Sequence, residues 1–306
     1  MLTFDTPAPL AVSVEIEVGS VRLTAGERPD TVVEVLPADP GDPEDERAAR
    51  ETRVDHADGT LTVRGARKRL PFGRIGSVEV CIELPAGSRV RAATGVGPLV
   101  LDGTFGECVL KSGAGDIRVA AAGPAVLRTG HGDVHLDRCT ADAEVHGAGR
   151  VRVGRVDGAA TVKNVNGDTE IGEVTGDVRA NSSNGSITVD RAHGSVEAKS
   201  ANGAIRVGEV ARGRADLQTA VGRIDIGIRG SVAAWLDVTS RMGKVHNSLG
   251  ASQGPEGSDG VVEGGGLPRT CDTPLPPPPP RTPTPGPGGG GVLGVFPFPP
   301  PPSPTP

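Results

Sequence analysis

The chain is short of nearly everything a large mixed core is built from. Its 306 residues contain no tyrosine, one tryptophan and five phenylalanines. Aromatic side chains bury the most area per residue, so any core must be thin and made of Val, Ile, Leu and Ala. No apolar stretch approaches the ~18 residues of a membrane-spanning helix. The opening MLTFDTPAPLAVSVEIEV has no basic segment leading into an apolar one, so no secretory signal is visible. The four cysteines, Cys81, Cys108, Cys139 and Cys271, form no CxxC pair, and in that context reduced, structural thiols are the expectation. These absences together predict a cytoplasmic protein with no membrane partner.

An excess of basic charge is missing too. The net charge is −6, and residues 96–250 hold 18 Lys+Arg against 18 Asp+Glu. A surface that tracks phosphates needs an excess of Lys and Arg, which argues against nucleic acid as a partner.

Glycine is abundant, with 46 residues, and it is periodic. It recurs every nine residues from Gly149 through Gly158, Gly167, Gly176, Gly185 and Gly194 to Gly203, then at Gly213 and Gly222. A fixed period marks a repeat architecture. Between the glycines lie short alternating segments, the period-2 signal of strands with one buried face. One strand set carries Ile117/Val119, Val134/Leu136, Val151/Val153, Ile187/Val189 and Ile205/Val207. The other carries smaller residues: Ala125/Leu127, Ala143/Val145, Ala160/Val162, Val178/Ala180 and Val196/Ala198. A flat meander would leave its apolar face uncovered, since no amphipathic helix follows. A coil closes that face on itself, with rungs about 4.8 Å apart. The expected fold is all-β: a parallel β-solenoid over 96–250, about 18 residues and two main strands per rung.

Residues 1–95 read as an antiparallel β region capping the solenoid. The charged stretch 39–55 within it reads as a solvated excursion with a helical turn or two. Residues 251–306 read as a disordered Pro/Gly-rich tail, with 17 of the 28 prolines after residue 267.

Stacking predicts columns of side chains. Asn166, Asn184 and Asn202 form one, suited to an asparagine ladder. Lys111, Arg128, His146, Lys163, Asn181, Lys199 and Gln218 form another. A third, facing outward, is Arg118, His135, Arg152, Glu170, Thr188, Arg206 and Asp225. Three chemical readings compete with plain surface roles. His131, Asp133, His135 and His146 are the densest metal-like cluster, yet solvated histidine columns are the commoner case. The pairs Gly115-Asp116, Gly132-Asp133, Gly167-Asp168 and Gly176-Asp177 look like calcium-binding nonapeptides but lack their GGxGxD density. Carboxylates at glycosidase separation are not identifiable, and Cys108 falls at an inward position. No catalytic, cofactor-binding or metal residue is assigned, and no cofactor is expected. Trp235 is read as lying outward or at a corner of an irregular last rung.

At this level the segments FDTPAPLAVSVEIEVGSVRLTAG, KNVNGDTEIGEVTGDVRANSSNGSITVDRAHGSV, KSANGAIRVGEVARG and GIRGSVAAWLDVTSRMGKVHNSL resemble the bacterial β-strand-repeat family of unknown function labelled "putative adhesin" (domain of unknown function 4097). The resemblance spans roughly residues 3–250. It implies a β-solenoid without established activity, cofactor or catalytic residues. Relatives close with a further valine-rich strand, whereas GPEGSDGVVE here gives way to the proline run, which reads as an altered frame or a replacement. An edge without its usual cap predicts self-association. The expected function is a non-catalytic scaffold or interaction module with an unknown protein partner or its own copies. The alternative is a carbohydrate-binding or carbohydrate-cleaving solenoid, against which stands the scarcity of aromatics in the repeats, only Phe105 and Trp235.

Overall fold

The computed structural model describes residues 1–65, 76–228 and 246, with the backbone of Ala234–Thr239 and Gly291–Pro297. Seven elements come first: β1 (Leu2–Asp5), β2 (Ala11–Gly26), β3 (Asp30–Pro37), α1 (Pro43–Glu51), β4 (Arg53–Ala57), β5 (Thr60–Arg64) and β6 (Val78–Pro85).

Eight consecutive coils follow, each of two strands. The first four are β7 (Arg89–Val96) with β8 (Leu99–Thr104), β9 (Cys108–Ala114) with β10 (Ile117–Ala122), β11 (Ala125–Thr129) with β12 (Val134–Cys139), and β13 (Ala143–Gly147) with β14 (Val151–Val156). The next four are β15 (Ala160–Asn166) with β16 (Thr169–Val174), β17 (Val178–Asn184) with β18 (Ile187–Ala192), β19 (Val196–Asn202) with β20 (Ile205–Val210), and β21 (Ala215–Val221) with β22 (Ile224–Ile228). Last come β23 (Ala234–Thr239) and β24 (Gly291–Pro297).

Even-numbered strands from β8 to β22 pair in parallel as one sheet, and odd-numbered strands from β7 to β21 as a second. Partners lie 17 to 19 residues apart, as in Ile117↔Val134, Thr169↔Ile187 and Ile205↔Ile224. The predicted solenoid, with its period near 18, is the observed one. Both sheets turn their alternating apolar residues inward. Ile117, Leu127, Leu136, Val145, Val174, Ala192 and Leu217 are fully buried in one narrow core.

The antiparallel part of the N-terminus is thinner than residues 1–95. β2 bends through Gly19 and contributes to both sheets, so it is already a rung. It pairs in parallel with β5 and β7 in one sheet and with β6 and β8 in the other. The chain thus lays its second rung, β5 and β6, beneath the first and then returns above it. Among the described residues of this end only β1, β3 and β4 run antiparallel, closing it through β1–β3, β3–β6 and β4–β5. The alternation at Val12, Val14 and Ile16 does mark a strand, but alternation does not say whether a neighbour runs parallel or antiparallel. The excursion at 39–55 contains α1, which Asp42 caps through its side chain on the Glu44 amide, with Pro43 at the first helical position. Asp45 is buried and accepts from the amides of Asp39 and Ser77, pinning the helix to the cap.

The nine-residue glycine step arises because alternate glycines occupy two opposite corners. At one corner a Cβ on Gly185 would lie 2.1 Å from the Gly167 carbonyl oxygen, and φ there is +129°. At the other, a Cβ on Gly194 would lie 2.6 Å from the Gly176 carbonyl oxygen. Rungs at strand spacing leave no room for a side chain at either corner.

The tail was expected to be disordered. Most of 251–306 lies outside the described residues, but Gly291–Pro297 forms β24, inserted antiparallel between β21 and β23. The physical reason is composition: after Pro268, residues 288–296 are the longest run without proline, and proline cannot donate within a sheet. The side chain of Trp235 lies outside the described residues; its backbone pairs opposite Phe296.

Candidate interaction surface

Parallel pairing converts sequence period into columns. On the sheet of even-numbered strands Arg118, His135, Arg152, Glu170, Thr188, Arg206 and Asp225 are successive partners, as expected. Arg152 bonds Glu170 one rung on through both Nε and Nη2, at 2.8 and 2.7 Å. Beside this column runs one the sequence reading did not identify: Ala121, Arg138, Arg155, Glu173, Arg191 and Glu209. Arg155 reaches Asp157 at 2.7 Å and Glu173 at 3.3 Å; Arg191 reaches Glu209 at 3.5 Å. The Arg155 hydrogen bond holds the Asp157 carboxyl below its ordinary range, and the His193 hydrogen bond does the same for Glu173.

On the opposite sheet Lys111, Arg128, His146, Lys163, Asn181, Lys199 and Gln218 are also in register. Neutral rungs are not all that relieves this basic column. Carboxylates two residues earlier on the same strands stand beside it. Glu144 accepts from Arg128 at 2.8 Å and sits 2.8 Å from His146; Glu197 accepts from Lys199 at 2.6 Å. The i, i+2 spacing of Glu144 with His146 and of Glu197 with Lys199 was the available signal, since residues two apart share a face. Arg128 lowers the Glu144 pKa and Lys199 that of Glu197, in each case mainly through the hydrogen bond.

The asparagine ladder is present: Asn184 Nδ2 donates to Asn166 Oδ1 at 3.1 Å, and Asn202 Nδ2 to Asn184 Oδ1 at 3.0 Å. A second ladder faces inward at the same corner and was not foreseen. Ser112, Thr129, Ser200 and Thr219 are buried and donate to the carbonyls of Gly97, Gly115, Gly185 and Gly203, at 3.2, 2.9, 3.2 and 2.9 Å. Asn164 fills the same column opposite Gly147, which has no side chain to obstruct it. Its Nδ2 donates to the Gly149 and Gly167 carbonyls, both at 2.9 Å. A sequence reader sees these as breaks in an apolar pattern. Their purpose lies in the turn carbonyls, which a buried corner would otherwise leave unpaired.

The cluster considered for a metal does not converge. His135 Nε2 lies 2.5 Å from Asp137 Oδ1 on one sheet, whereas His146 bonds Glu144 on the other, across the core. The Gly-Asp aspartates serve the next rung. Asp116 Oδ1 accepts the Asp133 amide, Asp133 Oδ1 the Arg150 amide, Asp168 Oδ1 the Ser186 amide and Asp177 Oδ1 the Ser195 amide, at 2.7 to 2.9 Å. Among the described residues no group of three His, Cys, Asp or Glu side chains is placed to hold a metal ion. Cys108 is buried, and burial pushes its thiol up to about 12. Cys139 donates its thiol to the Gly123 carbonyl at 2.8 Å. Both therefore behave as core residues rather than thiolate nucleophiles.

Comparison with known proteins gives a family. No curated protein matches the sequence. Among solved structures, one from Bacteroides fragilis named a "putative adhesin" shares 13% identity and a TM-score of 0.30, covering 73% of this chain and 94% of the other. A "putative adhesin" from Parabacteroides merdae gives 13% identity and 0.34, covering 74% and 95%. A "putative lipid binding protein" from Parabacteroides distasonis gives 9% and 0.34, covering 74% and 96%. Among the described residues no helix is long and apolar enough to cross a membrane. The family profile described as Toastrack DUF4097 matches residues 12–262, most of the sequence, and the chain belongs to that family.

Proposed function

We propose that the chain is a non-catalytic scaffold and protein-interaction module that presents its side-chain columns to a protein partner in the cytoplasm. The observation that carries this reading is the pair of in-register outward columns on opposite sheets, Arg118 to Asp225 and Lys111 to Gln218. Charges held at fixed strand spacing recognise a partner with little ordering cost, because the backbone beneath them is already fixed. Inter-rung ion pairs such as Arg152–Glu170 hold the array in one arrangement. The free thiols of Cys81, Cys108 and Cys139 support a reducing compartment.

The test is a reciprocal affinity purification with the full chain and two charge-reversed variants, Arg118→Glu/Arg206→Glu on one sheet and Lys163→Glu/Lys199→Glu on the other. A protein retained by the unmodified chain and lost with one variant, at unchanged melting temperature, is the expected outcome. Equal retention by all three chains, or specific glycan-array binding by the unmodified chain, would overturn the reading, the latter in favour of a carbohydrate-binding solenoid.

A further inference from the structure

The C-terminal end of the coil holds a strand the repeat does not supply. β24 lies between β21 and β23. Ala215 to Thr219 pair with Val295 to Gly291 on one side, and Ala234 to Thr239 pair with Pro297 to Val292 on the other. The family match ends at residue 262, before β24 begins. The slot is thus formed within the family domain, while its occupant comes from outside it.

Connection length is the second observation. Thr239 is paired opposite Val292, so the end of β23 lies beside the start of β24. Antiparallel neighbours in that position are ordinarily joined by about two to five residues. Here residues 240–290 intervene, 51 in all. Fully extended, that length spans roughly 170 Å, far beyond what closing the hairpin requires and enough to reach another molecule. The occupant is also unusual in being bounded by proline, with Pro287 before the run and Pro297 at its end. The strand able to pair on both edges is therefore short and separable.

We infer that the gap between β21 and β23 is a strand-acceptor site, filled in cis by Gly291–Pro297 and able to take the same segment from a second copy of this chain. Recognition is by main-chain hydrogen bonds to both neighbours, the mode of β-strand addition. A tethered strand has an effective concentration of order millimolar, so the intact chain stays closed at micromolar concentration and its slot opens to an incoming copy of the segment when its own strand is disabled. The inference concerns the end of the coil rather than its faces, and it stands even if the outward columns bind nothing.

The experiment uses full-length chains. Successive amides in a strand point to opposite neighbours, so Leu293→Pro/Gly294→Pro removes a donor toward each of β21 and β23. A labelled peptide of residues 288–299 is titrated onto each chain by fluorescence anisotropy. The expected result is peptide binding at least tenfold tighter to the variant than to the unmodified chain. Equal peptide binding by both chains overturns the proposal. Amide exchange of Val196–Asn202, two strands below the slot, supplies the control for folding. Retained protection in the variant supports a displaceable strand. Its loss makes β24 an integral part of the coil and overturns the proposal as well.

Discussion

The two ends of the coil are closed by different means. At the N-terminal end, a local excursion of the chain supplies β1, β3, β4 and α1, tied by backbone pairing and by the buried Asp45 carboxylate. Phe4 and His56 meet there with ring centroids 5.1 Å apart. At the C-terminal end, one strand arrives from beyond the family domain and closes a single sheet. Among the described residues β22 pairs only with β20. A solenoid has to satisfy both of its terminal edges. Here one cap is part of the core and the other is joined to it through sequence of unrelated composition.

The largest expected effect comes from introducing the same clash near each end. A Cβ at Gly97 would lie 1.8 Å from the Gly19 carbonyl oxygen, and one at Gly222 would lie 2.1 Å from that of Gly203. Gly97→Ala, between the first rungs, is expected to cost more than about 4 kcal/mol and to unfold the chain cooperatively. Gly222→Ala should cost clearly less, because a last rung can detach locally. Urea titration with hydrogen exchange measures both. Equal destabilisation would show that the C-terminal end is as integral as the other and would dissolve the comparison.

Removing Asp45 tests the N-terminal cap. Asp45→Ala strips the acceptor from two amides, those of Asp39 and Ser77. Leaving such donors unpaired in a partly buried setting is expected to cost about 2 kcal/mol, read as a lower urea midpoint. An unchanged midpoint would show that α1 and its loop are an ornament on the coil rather than its lid.

The fold was legible because stacking repeats one local rule. Gly158 to Gly203, the alternation at Ile187/Val189 and the asparagines at 18-residue spacing each state the same geometry. The N-terminal rungs were harder. β5 and β6 are inserted beneath β2 out of chain order, and alternation in Val12–Ile16 is the same whichever neighbour it meets. β24 was missed because proline content dominates its surroundings and the nine-residue rule is absent from it. On the surface, the outward columns were legible from period alone. The carboxylates beside them were legible only where an i, i+2 step on one strand gives the pair, as in Glu144 with His146, whereas pairs such as Arg138–Asp157 combine an in-strand neighbour with a rung step. The aspartates of the Gly-Asp pairs were recognised as special, but their partner is a backbone amide, which leaves no trace in residue identity.

A smaller effect is expected midway between the caps. Asn184 donates to Asn166 and accepts from Asn202 at an exposed corner. Asn184→Ala should cost about 0.5–1 kcal/mol, in the range of ordinary hydrogen bonds, without altering exchange at either end. A loss confined to β21 and β22 instead would mean that the ladder transmits order toward the C-terminal edge.

The smallest effect is electrostatic and belongs to the middle rungs. Arg128, then His146, hold the Glu144 pKa below its ordinary 4.5. A carboxylate depressed in the folded state contributes stability that is fully present above the unfolded value. That contribution disappears as pH falls from about 4.5 through the lower folded pKa. Since the Glu144 side chain is 40% exposed, solvent screening keeps the term below about 1 kcal/mol. Comparing unfolding midpoints at pH 6 and pH 3.5 for the unmodified chain and Glu144→Gln should give a smaller acid loss in the variant. Salt at about 1 M, where the screening length shrinks to ~3 Å, should narrow the difference. Equal acid losses would place the pH dependence elsewhere. Acid-induced exchange appearing first at Ala215–Val221, with Glu144 still protected, would place it at the weaker of the two caps.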